Sequence, residues 1–571
     1  MRAPPLPFRL LPAALALACS CPWAQAAAPR IDAPAPLEAL LQRHLQLETP
    51  RDEAERQALQ TRLAREGRQL LATEGYFDPG LELEGENLED LVLRVGPGSR
   101  ARIREIRIHI DGLVPETRRQ ELLEAWPLKP GLPFRQADWT QAKEQLLQAL
   151  LERDYPAARI THSQAEVDAD SGQVVLEVTA HSGPAYRFGE LKLDGLLRYK
   201  PDLVERYNTQ VEPGDPYEEG RLQTLQTRLE NTPYFNSVSV RIDPDAAEPG
   251  PDGSLTAPVR IRLRERQPHQ LGLGAGLSSN TGARVEMNYR SADLFRKAWQ
   301  LNSGIRLEQL KQSAYADIFL PPTRDQSQYA FGVLFERSDI QNLKLQTQSL
   351  GISRTRQQGS VDLSLNLGYI EEKQTPQDME SRHTRALTFN SIWTWQPFRG
   401  QIERVEGYSS QVQLGGSIKP VSDQNFVRLY GKHQHSLALG SRNTLSLRAE
   451  GGIILAPSRQ GIPQNFLFRA GGTQSVRGYS YQSLGVQEGQ AVLGGRYLTT
   501  LSAELTHWLA DSPWGIAAFV DAGNAGDDKK TFKLKTGYGL GARWKSPAGP
   551  LGVDIAYGDS WHLHFALALP F

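Results

Sequence analysis

The sequence predicts three α+β repeats followed by a transmembrane antiparallel β-barrel of about 16 strands. Three observations predict it. A tyrosine-centred segment recurs twice at an interval of 79 residues in the first half. From about residue 267 the apolar residues change from helical spacing to alternation. An apolar leader opens the chain and marks it for export. With 571 residues, the chain exceeds one ordinary domain of roughly 150 residues. Its formal net charge of −1 excludes a broad basic surface for nucleic acid. A mean hydropathy of −0.45 excludes a bundle of membrane helices.

Residues 1–26 read as a signal peptide. Arg2 and Arg9 supply the positive start, Leu10 to Ala18 the short apolar core, and Ala24-Gln25-Ala26 the small-residue cleavage site. Cleavage there removes Cys19 and Cys21, the only cysteines, and leaves no disulfide to form. The alternative is a lipoprotein acylated at Cys19.

The repeats are carried by Gly75-Tyr76-Phe77, Asp154-Tyr155-Pro156 and Pro233-Tyr234-Phe235. Each follows a stretch with helical apolar spacing: Ala58 to Ala72, Trp139 to Leu151 and Leu222 to Leu229. Strand-like sequence opens two units, at Ile103 to Ile108 and Phe188 to Leu193, each running into an Asp-Gly turn. Gln173 to Val178 and Ala257 to Leu263 close them. The unit is strand, helix, helix, strand, strand, over 27–100, 101–184 and 185–266. In the first unit only Ile31 to Pro34 offers an opening strand.

Residues 267–571 form the predicted barrel. They hold 34 of the 50 glycines, which suits strands and turns rather than helices. Val361, Leu363, Leu365, Leu367 and Tyr369 alternate with Asp362, Ser364, Asn366 and Gly368; Leu501, Ala503 and Leu505 alternate with Ser502, Glu504 and Thr506. In lipid every backbone polar group must bond within the protein, so such a sheet closes on itself. At about 19 residues per strand and turn, the span holds roughly 16 strands. Trp393, Trp395, Trp508, Trp514 and Trp544 suit interfacial girdles. A soluble two-sheet protein is the alternative.

Three segments narrow the family: Gly471-Gly472-Thr473-Gln474-Ser475-Val476-Arg477-Gly478-Tyr479, Phe519-Val520-Asp521-Ala522-Gly523-Asn524 and Arg543-Trp544-Lys545-Ser546-Pro547-Ala548-Gly549-Pro550-Leu551. With the Tyr-Phe repeats, they resemble the POTRA-barrel superfamily, which includes BamA, TamA and the two-partner-secretion translocators. The resemblance implies that the Val476-Arg477-Gly478-Tyr479 loop folds into the barrel and that Arg477 meets Asp521, near Gly523, on the inner wall. A bidentate Arg–carboxylate pair pins such a loop; the alternative is a solvated turn arginine. The resemblance also implies a seam between the first and last strands, where a client strand adds by β-augmentation. Gly272, Gly274 and Gly276 share one face of the first strand and weaken its packing. Gly558 precedes the last strand as a candidate kink, Phe565 lies within that strand, and the terminal Phe571 resembles the family's barrel-targeting signal. Barrel curvature is the other explanation of the glycines.

Three repeats and about 16 strands are similar to the TamA branch, the outer-membrane subunits of the translocation and assembly module. That likeness implies an outer-membrane barrel with periplasmic repeats in a Gram-negative-type cell. It implies help in inserting or exporting outer-membrane proteins such as autotransporters. The partners implied are a TamB-like inner-membrane-anchored protein, unfolded outer-membrane protein clients and membrane lipid. Two alternatives stand: a two-partner-secretion pore exporting a dedicated exoprotein, with Glu38 to Leu71 as a lumen plug, and a passive porin-like channel. No enzyme, metal or cofactor is expected. Asp559-Ser560 with His562 and His564 is ordinary turn chemistry, and no nucleophile elbow, zinc motif or phosphate loop occurs.

Overall fold

The computed structural model describes residues 29–88, 90–250, 252–397, 406–546 and 549–570. The expected leader at 1–26, Pro547 and Ala548 of the third motif, and Phe571 lie outside the described residues. Two compact bodies are distinguished. One runs to Phe188 and adds 214–220 and 246–257; the other holds 189–213, 221–245 and 258–571.

In the first unit a three-residue strand, Arg30–Asp32, lies parallel to Val92–Gly96, which pairs antiparallel with Gly80–Glu84. Helices Ala35–His44 and Glu53–Thr73 cover this sheet. The second helix starts where Asp52 accepts the Glu55 N–H (2.8 Å). Its Leu59, Leu63 and Leu71 join Leu41, Leu81 and Leu93 in the core. The second unit repeats the order: Arg102–Asp111, Glu116–Glu124, Gln136–Leu151, Arg159–Asp168, Gln173–His181. The closing strand is central in its sheet and fully apolar on one face, with Val174, Leu176, Val178 and Ala180 buried. Trp139, Ala142, Leu146 and Leu150 form the helix stripe that covers that face. The third unit runs Tyr186–Asp194, Pro201–Tyr207, Glu219–Glu230, Phe235–Ile242 and Leu255–Glu265.

The recurring tyrosine does two different jobs. Tyr155 donates to the Leu113 carbonyl of its own unit (3.1 Å). Tyr234 is fully buried; its hydroxyl donates to the Ala298 carbonyl in a barrel turn (2.8 Å) and accepts from Gln300 (2.9 Å). Burial pushes the Tyr234 hydroxyl above the usual tyrosine range, which keeps it a donor. Tyr234→Phe orphans a buried carbonyl and a side-chain amide, a loss of about 1–3 kcal/mol. Faster hydrogen exchange in residues 295–300 with an intact barrel is the expected result. Unchanged exchange there would show that the tyrosine does not hold the turn.

Sixteen antiparallel strands, each beside its sequence neighbour, close into a barrel from His269–Ser278 to Trp561–Pro570. The period-2 pattern sets the two faces. On the thirteenth strand, Trp514–Gly526, Val520 is 52% exposed and Asp521 is 0% exposed. Leu271, Met287, Phe331, Leu350, Phe389, Leu505 and Ile555 continue the outer apolar band, a lipid-facing surface. Because the third unit leads into the first strand, turns after even-numbered strands lie on the proximal rim. All five tryptophans named above sit at strand ends on that rim, and Trp514 stacks on Trp544, its register partner (5.3 Å). At the distal rim Tyr538, Tyr557 and Trp561 form a second aromatic run.

Candidate functional site

Most barrel turns are short; residues 456–496, between the eleventh strand (Asn443–Leu455) and the twelfth (Tyr497–Trp508), are the exception. This distal loop folds into the lumen and supplies its own backbone partners. Phe468 and Gly495 exchange two bonds (2.9 and 2.8 Å), as do Ala470 and Leu484 (2.8 and 2.9 Å). Ile462, Leu467, Phe468, Val476, Tyr479 and Leu484 bury against Ile370, Ala386, Phe426, Ile454, Leu498 and Ala525 of the wall. Glu372, fully buried on the wall, accepts the Gln464 N–H (2.7 Å) and the Gln374 amide (2.8 Å). Arg382 forms a two-pronged pair with Glu488 (3.0 Å each).

The loop tip is the most highly bonded point. Arg477 is 2% exposed. Its Nε and Nη2 donate to Asp521 (2.7 and 3.0 Å), and its backbone N–H reaches the same carboxylate (3.0 Å). Nη1 donates to Glu504 (2.6 Å) and Asp554 (3.0 Å). The guanidinium lies 3.4 Å from the centre of the Phe519 ring. Arg543 bonds the same Glu504 (2.9 and 2.8 Å) and Asp554 (2.5 Å). Two guanidiniums thus interleave with three carboxylates. Burying any of these charges alone costs several kcal/mol, so the group holds only as a set.

Gly478 turns the chain at a φ of 88°, which a glycine adopts without strain. Its N–H donates to Nε2 of His564 (2.9 Å). Val476 is fully buried, and a Cβ on Gly523 would press on it at 2.9 Å. Tyr479 donates to the Thr536 carbonyl (3.3 Å). At two points beneath the tip, Gly537 and Gly558, the wall carries no side chain. A Cβ on Gly537 would collide with the Arg477 carbonyl, and one on Gly558 with the Gly478 carbonyl. Gly558, a candidate kink before the last strand, admits the loop backbone here.

A family motif points to Asp521 as the partner of Arg477; Arg543 stands in a family motif without a role, and no motif points to Glu504, Asp554 or His564 as partners of the loop. Their signal was phase: each is polar at the inward position of a strand whose alternate residues are apolar. Cross-strand register brings them together, with Asp521 opposite Ser502 and Asp554 opposite both Gly541 and His564. Among the described residues no group of three metal-ligating side chains is free to hold an ion.

Gly272 and Gly274 lie on the lumen face of the first strand, alternating with outward Leu271 and Leu273. Gly276 continues that phase, with outward Leu277 beside it. The last strand divides its pairing. Trp561–Phe565 pair with Val553–Tyr557 of the fifteenth strand, and Ala566–Pro570 pair with Gly274–Ser278 of the first. Among the described residues each border has five residue pairs, against sixteen between the sixth strand (Leu343–Gln358) and the seventh (Val361–Pro376). Phe565 stands at the changeover, and its backbone bonds Ser279 (3.0 and 3.1 Å).

Residues 267–565 match the Omp85 superfamily domain, and 101–182 and 186–266 each match the POTRA family, described as surface antigen variable number repeat. The outer membrane protein assembly factor BamA of Nitratidesulfovibrio vulgaris is 22% identical over 393 residues, 64% of this chain and 47% of that protein. BamA of Neisseria meningitidis serogroup B is 22% identical over 555 residues, 85% of this chain and 68% of that protein. The chain thus spans about half the length of the first and two thirds of the second. The crystal structure of Haemophilus ducreyi BamA lacking POTRA domains 1-3 shares the fold, with a TM-score of 0.67 at 16% identity over 82% of this chain and all of that one. The pinned loop, the closed barrel of 16 strands and the repeats before it place the chain in the Omp85 superfamily, as an outer-membrane barrel with periplasmic POTRA domains.

Proposed function

We propose that the chain is a TamA-type assembly factor that helps insert or export outer-membrane proteins, autotransporters among them, through the border between its first and last strands. Unfolded outer-membrane proteins are its clients, and a TamB-like inner-membrane-anchored protein is its partner through the repeats. The domain plan behind this reading is a leader at 1–26, POTRA-type units at 27–100, 101–184 and 185–266, and the barrel from 267. The divided pairing of the last strand carries the proposal, because among the described residues the first strand pairs with it only over Gly274–Ser278, which makes this a short border. Free strand edges accept an incoming strand. The relatives named as assembly factors support the same reading. The rival secretion pore needs a helix plugging the lumen. Residues 38–71, the candidate plug, form helices whose leucines pack on the first unit's own sheet.

A disulfide across the border tests it. Gly276 and Ala568 pair directly, and the only native cysteines are Cys19 and Cys21. Oxidised Gly276→Cys with Ala568→Cys is expected to stop client assembly, with recovery on reduction. A control disulfide at Gly351 and Gly368, partners in the sixth and seventh strands, is expected to change nothing. Full activity with the border locked would overturn the seam; recovery of a dedicated exoprotein instead of a TamB-like protein on the repeats would favour the secretion pore.

A further inference from the structure

A cavity of about 360 Å³ opens at the proximal rim of the barrel, between the third unit and two barrel turns. That is within the roughly 300–1,000 Å³ of small-molecule sites. Its lining is strongly cationic: Arg198, Lys200, Arg206, Arg296 and Lys297 face one carboxylate, Asp202. Arg206 is paired with Asp202 (3.6 Å), and Arg198 approaches Asp293 at 4.0 Å. Lys200, Arg296 and Lys297 have no carboxylate partner among the described residues. Gathering like charges is costly unless an anion joins them.

A second observation is independent of charge. Tyr199 lines the cavity, is only 6% exposed, and its hydroxyl donates to no acceptor; the neighbouring Arg198 guanidinium can only donate to it. Burial pushes that hydroxyl up to about 12, so it stays a neutral donor at any physiological pH. A buried donor left unsatisfied is a defect in most folds and an asset where a ligand completes it.

The position identifies the ligand class. The turn Phe295 to Ala298 carries Phe295, Arg296 and Ala298 at φ near 57°, 59° and 56°, which projects Phe295 outward at 70% exposure. Trp299, at the start of the third strand (Trp299–Glu308), packs edge-on to it (6.4 Å) and also lines the cavity. Lys297 lies over the Trp299 ring (5.2 Å), and an exposed aromatic beside cations that have no carboxylate partner, at the girdle level of a barrel, is an interfacial anchor. We propose that this cavity binds the phosphodiester headgroup of an anionic phospholipid from the periplasmic leaflet. Arg296, Lys297 and Lys200 contact the phosphate, the Tyr199 hydroxyl donates to it, and Phe295 sits among the acyl chains. The site concerns lipid alone and stands whichever client the barrel handles.

The test uses the full-length protein in dodecyl maltoside, with native mass spectrometry as the readout. The probes are dihexanoyl phosphatidylglycerol, inorganic phosphate and polyglutamate. Saturable one-to-one binding of the lipid is expected. Lys200→Ala with Arg296→Ala is expected to weaken it at least about tenfold, as for lost charge-assisted bonds. Tyr199→Phe, which keeps the ring, is expected to weaken it about threefold or more. Both variants are expected to keep the heat-modifiable mobility of a folded barrel. Unchanged lipid affinity in both variants would overturn the site. Phosphate binding as tightly as the lipid would make it a free-phosphate site, and polyglutamate binding without lipid binding would make it a peptide site; either result refutes the proposal.

Discussion

Arg477→Ala is expected to free the loop tip by at least about 100-fold in the ratio of free to pinned loop and to impair client assembly, with the barrel still inserted. The substitution strands Asp521 with no cation, and leaves Glu504 and Asp554 with Arg543 alone. Breaking a buried ionic group by removing one member costs about 3–5 kcal/mol, which is roughly 10²–10³ in the ratio of pinned to free loop. Protease cleavage within 470–485 on intact vesicles measures it. Wild-type resistance to cleavage would show that the tip is held by its apolar neighbours instead. Arg477→Lys is expected to recover only part of the loss, since an ammonium cannot fork to Asp521 while reaching Glu504 and Asp554. Exchanging the pair, Arg477→Asp with Asp521→Arg, is expected to give no rescue, because the new aspartate faces Glu504 and Asp554.

Gly537→Ala is expected to reproduce the same phenotype without touching a charge. Its Cβ would overlap the Arg477 carbonyl, a backbone atom that cannot swing away. Overpacking of this kind costs about 1–3 kcal/mol, so the loop lifts or the fourteenth strand (Lys535–Ser546) shifts. Gly272→Ala is the matched control: its Cβ finds only the Asn288 carbonyl, at 3.9 Å. Combining Gly537→Ala with Arg477→Ala is expected to add little, since both remove one docked state. Additive losses in cleavage and assembly would mean that Gly537 serves the strand rather than the loop.

The two glycines show what the sequence makes legible. Gly272 attracts notice because it alternates with Gly274 and Gly276, a local pattern. Gly537 also stands in an alternating run, but its use depends on a loop sixty residues away. The strand number follows from length because barrel strands and turns have a narrow size range. The tyrosine interval exposes the repeats because each unit is a local supersecondary element. Whether Tyr155 or Tyr234 bonds its own unit or a barrel turn depends on which partner arrives, and no spacing encodes that. Family motifs single out Arg477 and Asp521 because each lies in a short contiguous segment. Glu504, Arg543 and Asp554 had to wait for the register of four strands, a non-local quantity.

His564 belongs to the last strand, and it accepts the N–H of Gly478 at the loop tip. The turn before that strand makes a second tie, from the Asp559 N–H to the Gly478 carbonyl (3.1 Å). The strand cannot swing outward while both ties hold. On the proposed route between the first and last strands, the loop would be a latch as well as a plug, the two acting through one free energy. Whatever tightens the docked loop raises the work of parting the strands by the same amount, and a client that parts them loosens the loop in return.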